Sequence, residues 1–395
     1  MGEFTEWLNL ALRWLHLITG IAWIGSSFYF VWLDNHLTPP KQGDASGELW
    51  SVHGGGFYHN EKYVVAPAHM PDDLHWFKWE AYWTWISGFS LLVLVYYVGA
   101  KSFLIDPAKA DLSPLEASAI GLSALAASWI FYDQLCRSRL KSNNFAIGLI
   151  WFAFLVTAAW ALCRVFNDRG AYLHVGAMTG TVMVANVFFV IIPKQRQAVK
   201  ALMAGDVPDP ALGAAGKQRS MHNNYMTLPV LFIMISHHYP MTYGAAHPWV
   251  VLALLSATGV AIRHVFNLRH TGQSTEATIA VAAMFAAATV IYVTLEKAEL
   301  SQQAADGAEA ANYAAVAPIL AEHCAACHSA RPTHAGFSEP PLGVVLDTYD
   351  HVRALAPRIK AVAVDSDVMP LGNETGMTAE DRTLLGSWIA KGAPQ

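Results

Sequence analysis

Hydrophobic positions fall in long blocks rather than in alternation. Predominantly apolar stretches of about 20 residues, enough to cross a bilayer as a helix, recur at about residues 8–33, 80–104, 116–135, 145–163, 172–193, 223–240, 248–267 and 275–295. The pattern predicts eight spanning helices. The sixth is the least apolar, because it opens on Met221-His222-Asn223-Asn224. Between the first two blocks lies a long loop, 34–79, whose ELWSVHGGGFYHNEKY stretch reads as two short strands around His53-Gly54-Gly55-Gly56. After the last block the chain turns polar. An Ala/Gln-rich tether at 297–311 leads into a final unit, 312–395. No internal repeat is visible.

Composition sharpens this division. Only 14% of the 395 residues are charged and 54% are hydrophobic, whereas soluble domains carry roughly 25% charged residues. The net charge of −5 belongs entirely to the tail, since positive and negative residues balance over 1–300. No basic cluster exists, which excludes nucleic acid as a partner. The start, MGEFTEWLNL, lacks the basic region of a cleavable signal.

Chemistry enters in the tail. Cys324-Ala-Ala-Cys327-His328 is a c-type haem attachment motif, in which the two thiols bond the porphyrin and the histidine ligates iron. A zinc site would require a second ligand pair, and none follows. The unit has a helix before the motif, a Met-Pro pair at Met369 in a loop, and a last helix opening on Thr378-Ala-Glu-Asp381. That order resembles class I cytochrome c. The resemblance makes Met369 the sixth iron ligand, with Met377 as its competitor. Cys136 and Cys163 are expected to be two buried thiols rather than a disulfide.

Attachment of haem c takes place outside the bacterial cytoplasm. With an even number of spans, both ends are then periplasmic. Loop charges agree. On that topology the inner loops carry thirteen Lys and Arg and the outer ones five, among them Arg164 and Arg169.

Polar groups within the spans are costly and therefore candidates for function. His16, beside Gly20 and Gly25, is a candidate haem b or substrate ligand. His222, Asn223 and Asn224 offer an imidazole and two amides to a polar heterocycle. His174, His237, His238 and His247 lie toward the outer side. In the long loop, His53, His59, His69 and His75 stand at no tight metal spacing, and the aromatic run from His75 through Glu80 to Trp85 reads as an interfacial belt or a stacking platform.

The segments WLHLITGIAWIGSSFYF, SVHGGGFYHNEKY, HWFKWEAYWTWISG and CHSARPTHAGFSEPPLGVVLDT are similar to those of the bacterial membrane-bound urate oxidases, along the whole chain. Residues 7–33 alone also resemble the first span of the protoporphyrinogen-oxidase membrane proteins, in which an equivalent histidine binds haem b. The first resemblance implies an all-α protein: an eight-helix transmembrane domain (1–296) followed by a small cytochrome c domain. It also implies oxidation of urate to 5-hydroxyisourate with haem c, not O2, as acceptor. Electrons would continue to a downstream cytochrome c or terminal oxidase of the inner membrane. On this reading His53, His222, Asn223, Asn224 and Glu80 are candidate catalytic residues. Cys324 and Cys327 anchor haem c, His328 and Met369 ligate its iron, and His16 is a candidate for a second, b-type haem. A respiratory electron-transfer subunit and a transporter are the competing classes. The run 331–343, with His334 and Phe337, is expected either to seat the haem domain on the membrane body or to pack the haem.

Overall fold

The computed structural model describes residues 3–63, 67, 70–306 and 312–395. It is helical throughout apart from one hairpin. Helix α1 runs Glu3–His36 and leads to strands β1 (Gly47–His53) and β2 (Gly56–Lys62). The strands pair antiparallel, with Glu48 opposite Glu61 and His53 opposite Gly56. The turn works because Gly54 and Gly55 both take positive φ, at 58° and 81°, a two-residue hairpin geometry that disfavours side chains. The hairpin is where the sequence predicts it.

The body continues through α2 (Trp79–Leu92), a π-helical turn at Val93–Tyr97, α3 (Ala100–Phe103), α4 (Pro114–Arg137), α5 (Asn144–Leu162) and α6 (Asp168–Ala185). A second π-helical turn, Asn186–Ile191, joins α6 to α7 (Ile192–Met203). Then come α8 (Pro210–Ser236), α9 (Pro240–Tyr243), α10 (Pro248–His270) and α11 (Glu276–Asp306). Local chemistry sets the starts. Ser113 and Glu116 form a capping box with Pro114 in the first turn of α4. Asn143, Asn167 and Asp209 accept first-turn amides of α5, α6 and α8.

Among the described residues, six helical stretches are long and apolar enough to cross a membrane: Phe4–His36, Pro114–Arg137, Asn144–Leu162, Asp168–Met203, Pro248–His270 and Glu276–Glu296. Two of the eight expected spans fall short for identifiable reasons. The second runs from α2 through its π turn only to Tyr97, and beyond a turn at Val98-Gly99 only the short α3 follows. The sixth, α8, contains Arg219, the His222–Asn224 run and Pro229. Residues 297–306 of the expected tether continue α11, as good helix formers such as Ala, Glu and Gln allow; 307–311 lie outside the described residues.

The main apolar core lies around α6, whose Ala171, Tyr172, Val175 and Met178 meet residues of α4, α5, α8 and α10. The C-terminal unit has its own core. It comprises α12 (Tyr313–His323), α13 (Ala325–His328), α14 (Tyr349–Ala354), α15 (Ala356–Ala363) and α16 (Ala379–Ala390). Val316, Leu320, Leu385 and Trp388 join α12 to α16 there.

This unit sits on the body through the loop 366–374. The Ser102 hydroxyl donates to Glu374 (3.2 Å). Gly372 has φ +61°, and a Cβ there would lie 2.9 Å from the Ile105 carbonyl. Gly244 meets Ser366 in the same way, with 2.4 Å to its Cβ. The run 331–343 reaches this contact only indirectly, through His334 Nε2 and Glu374 Oε2 (3.2 Å). Leu342 of that run is 88% exposed.

Candidate functional site

The fold gathers the polar residues of the body into two places. The first joins α4 and α8 around the second π turn. Tyr132 and His222 Nδ1 are 2.8 Å apart, and His222 Nε2 is 3.2 Å from Asn144 Oδ1. Asn186 donates to Asn223 Oδ1 (2.8 Å), and Asn223 donates to the Met183 carbonyl (2.9 Å). Asn224 donates to Asn267 (3.2 Å) and accepts from Arg263. Arg219 completes the group, bonding Asp133 (2.8 Å) and Asn186 (3.3 Å) with its guanidinium over the Tyr132 ring. Arg219, His222, Asn223 and Asn224 are all buried. The structure therefore brings together three of the five candidate catalytic residues and adds Tyr132, Asp133, Asn186 and Arg219. Their donors and acceptors are largely engaged with one another, as buried polar groups require.

His53 and Glu80 are not among them. His53 is exposed at the hairpin turn. Glu80 lies in the first turn of α2, where its carbonyl accepts from Thr84. On the hairpin, Glu48, His59 and Glu61 bring ligand atoms within 4.8 Å of one another. The His59–Glu48 contact (3.0 Å) accounts for this grouping as a pair. His69 lies outside the described residues.

The second place is a cavity of about 220 Å³ between α1, α2, α6 and α8. Its walls are mostly apolar. Trp85 stacks on Phe89, with ring centroids 5.0 Å apart and 9° between planes, and its indole donates to Thr181. Gly20, Gly88, Gly176 and Gly180 also line the cavity. Its charged and titratable lining is Arg13, His16, Tyr96, Arg169 and His237, with no carboxylate. His16 Nδ1 contacts the Thr84 carbonyl (2.9 Å) and the Ser87 hydroxyl (3.2 Å). Its ring lies tight against α2, where a Cβ on Gly88 would stand 2.7 Å from Cε1. At one end the cavity includes Met183, whose carbonyl holds Asn223. At the other, Arg169 also lines a crevice closed by Asp367, Val368 and Asn373 of the docking loop.

Sequence reasoning missed the grouping of Arg13, Arg169 and His237 because their helices are far apart in the chain. Signals existed. Arg13 precedes His16 by three residues in an apolar run, hence on the same helix face, and Arg169 is one of the few basic residues assigned to the outer side.

The remaining polar candidates lie outside the cavity lining. His174 is fully buried, with Nδ1 at the Gly170 carbonyl (2.8 Å) and Nε2 near the Tyr97 hydroxyl (3.3 Å). His247 meets the Tyr292 hydroxyl. Cys136 and Cys163 are buried free thiols.

In the C-terminal unit the residues fit a covalently held haem. Cys324 and Cys327 are free and not bonded to each other. His328 Nδ1 is 3.1 Å from the Val344 carbonyl, which fixes the tautomer that leaves Nε2 for iron. Cys324, Val344 and Met369 pack on the same apolar cluster. The Met369 backbone is held on both sides, by the Val362 carbonyl (2.7 Å) and by Arg382, which donates to its own carbonyl (2.7 Å). Met377 is inside the core, 4% exposed. Burial raises the Cys324 thiol to about 11 and pushes the Cys327 thiol upward too.

A family model for the urate oxidase N-terminal domain matches residues 2–295, and the chain belongs to that family. No curated protein and no solved structure matches the chain.

Proposed function

We propose that the body oxidises urate to 5-hydroxyisourate and that the C-terminal unit is a class I cytochrome c domain that receives the electrons. Urate and water give 5-hydroxyisourate, two protons and two electrons, so the hydroxyl oxygen comes from water and not from O2. Haem c, when bound to Cys324 and Cys327, supplies a one-electron acceptor, and two such transfers complete each turnover. The chain's own residues do the rest. His328 and Met369 would hold the iron, the Val344 carbonyl orients His328, and thioether ligation by Met369 would raise the potential. Apolar walls in the body exclude water from a bound heterocycle except where it reacts.

The observation that carries this reading, beyond family membership, is the seat of the C-terminal unit. The loop containing Met369 rests beside Arg169, a residue shared with the cavity. We place both termini and the cytochrome domain on the periplasmic side of the bacterial inner membrane, with eight crossings, and a cytochrome c or terminal oxidase downstream. A second reading of the cavity is a haem b on His16. It is favoured by the engaged Nδ1 of His16, which leaves Nε2 for a ligand.

The test is isotopic. Anaerobic turnover in 18O-labelled water is expected to place one labelled oxygen in each 5-hydroxyisourate. Unlabelled product in labelled water would overturn the reading.

A further inference from the structure

We infer that urate binds in the cavity between α1, α2, α6 and α8, with Arg13 and Arg169 holding the anionic edge of the heterocycle and His16 and His237 beside it. This rests on the proposed activity and moves the substrate away from the His222–Asn224 cluster.

Charge is the first argument. The cavity is lined by two guanidinium groups and by no carboxylate. Among the described residues, Arg13 has a side-chain hydrogen-bond partner only in the amide oxygen of Asn9, to which its Nε donates (2.7 Å). Arg169 forms no ion pair among the described residues and its buried Nε has no hydrogen-bond partner, while Asp106, Asp168 and Asp367 line the adjoining crevice on its other side. Its guanidinium lies 5.6 Å from the Phe103 ring centroid. Charged groups set in a mostly apolar cavity fix a ligand of opposite charge. Here an anion completes them.

Shape is the second argument. Stacked Trp85 and Phe89 give the cavity an aromatic surface. Gly180 has nothing within 4 Å of a would-be Cβ, and at Gly20 the nearest atom is 4.0 Å away. These glycines leave open room that side chains would fill. A planar anion with apolar faces and a polar edge matches that lining. At about 220 Å³ the volume lies below the roughly 300–1,000 Å³ of drug-sized ligand sites, and a single purine is small enough. The Arg219 cluster differs: its guanidinium is already met by Asp133 and Asn186.

Position is the third. Arg169 also borders the docking loop, which puts a substrate held there next to the electron-accepting unit.

The experiment uses the full-length haem-loaded protein in detergent. Urate binding is measured by equilibrium dialysis against dithionite-reduced protein, which has no acceptor for turnover, and KM is measured on the oxidised protein. Arg13→Gln and Arg169→Gln should each weaken binding and raise KM roughly tenfold to a hundredfold, the range for a charge-assisted hydrogen bond. Gly180→Leu should abolish binding by filling the slot. Each should keep the haem c spectrum, which reports folding. Arg164→Gln, an arginine stacked on Trp160 outside the cavity, should leave KM unchanged. Unchanged binding and KM in all three cavity variants, with an active wild type, would overturn this site alone. An inactive wild type with intact haem c would overturn the urate reading itself. If the wild type releases an acid-extractable haem that the arginine variants lack, the cavity holds a prosthetic group and the substrate assignment falls.

Discussion

At the scale of single residues, the proposed iron ligands of the C-terminal unit can be tested one at a time. Met369→Ala removes the expected thioether ligand while leaving His328 in place. Redox titration should give a lower haem potential, and the visible band of methionine-ligated ferric haem should vanish. Retention of that band would transfer the role to Met377. Thr378→Ala acts differently. Thr378 caps α16, with its hydroxyl bonded to Asp381 (2.7 Å) and accepting the Asp381 amide. These bonds hold the Asp381 carboxyl below its ordinary value. A depressed folded pKa contributes stability above the unfolded value, near pH 4, and loses it as pH falls through the folded one. Wild type should therefore lose stability on acidification below about pH 4, and Thr378→Ala should lose less of it there. At neutral pH the variant should be less stable by about 1 kcal/mol, read from the thermal loss of the haem spectrum.

At the scale of elements, close approach and a buried ion pair hold the body together. Gly176 of α6 faces Ile233 of α8, and a Cβ there would stand 2.5 Å from Ile233 Cγ2. Ile233 is 2% exposed, so it has little room to move. Gly176→Ala should lower the melting temperature of the purified protein, because overpacking costs about 1–3 kcal/mol, which outweighs the gain of about 1 kcal/mol in helix propensity. Asp133 on α4 pairs with Arg219 on α8 at 2.8 Å and with Arg137 at 2.7 Å. Asp133→Ala strands a buried guanidinium and should destabilise by about 3–5 kcal/mol. A melting temperature equal to wild type would show that Arg219 finds another partner.

These elements also show what could be read in advance. The apolar runs marked the long helices, and the double-glycine turn marked the hairpin, because both depend on local pattern. The weak sixth block flagged its own polar cluster, since His222, Asn223 and Asn224 adjoin in sequence. The end of the second helix at Tyr97, followed by a turn, left no such trace. Nor did the convergence of Arg13, His16, Arg169 and His237, which depends on how four helices pack. His53 and Glu80 looked like candidates because of their residue types and neighbours, yet the fold leaves them apart from the cluster.

At the scale of the whole molecule, the account depends on the junction between body and C-terminal unit. Gly372 adopts φ +61° against the Ile105, Ser102 and Lys101 carbonyls, the last at 3.2 Å. Gly372→Val is both strained and obstructed, and it should push the docking loop off the body. Urate-driven haem reduction should slow at least tenfold while reduction by dithionite stays normal. Nearby, burial raises the carboxyl pKa of Asp106, so the contact surface disfavours the charged form of this carboxyl.

The most direct test of the central claim is a stopped titration without oxygen. Urate is added in sub-stoichiometric amounts to the fully oxidised protein, and haem c reduction is followed optically. The account predicts two equivalents of haem c reduced for each urate consumed, with 5-hydroxyisourate formed in step. Urate left intact beside fully oxidised, correctly ligated haem c would contradict it.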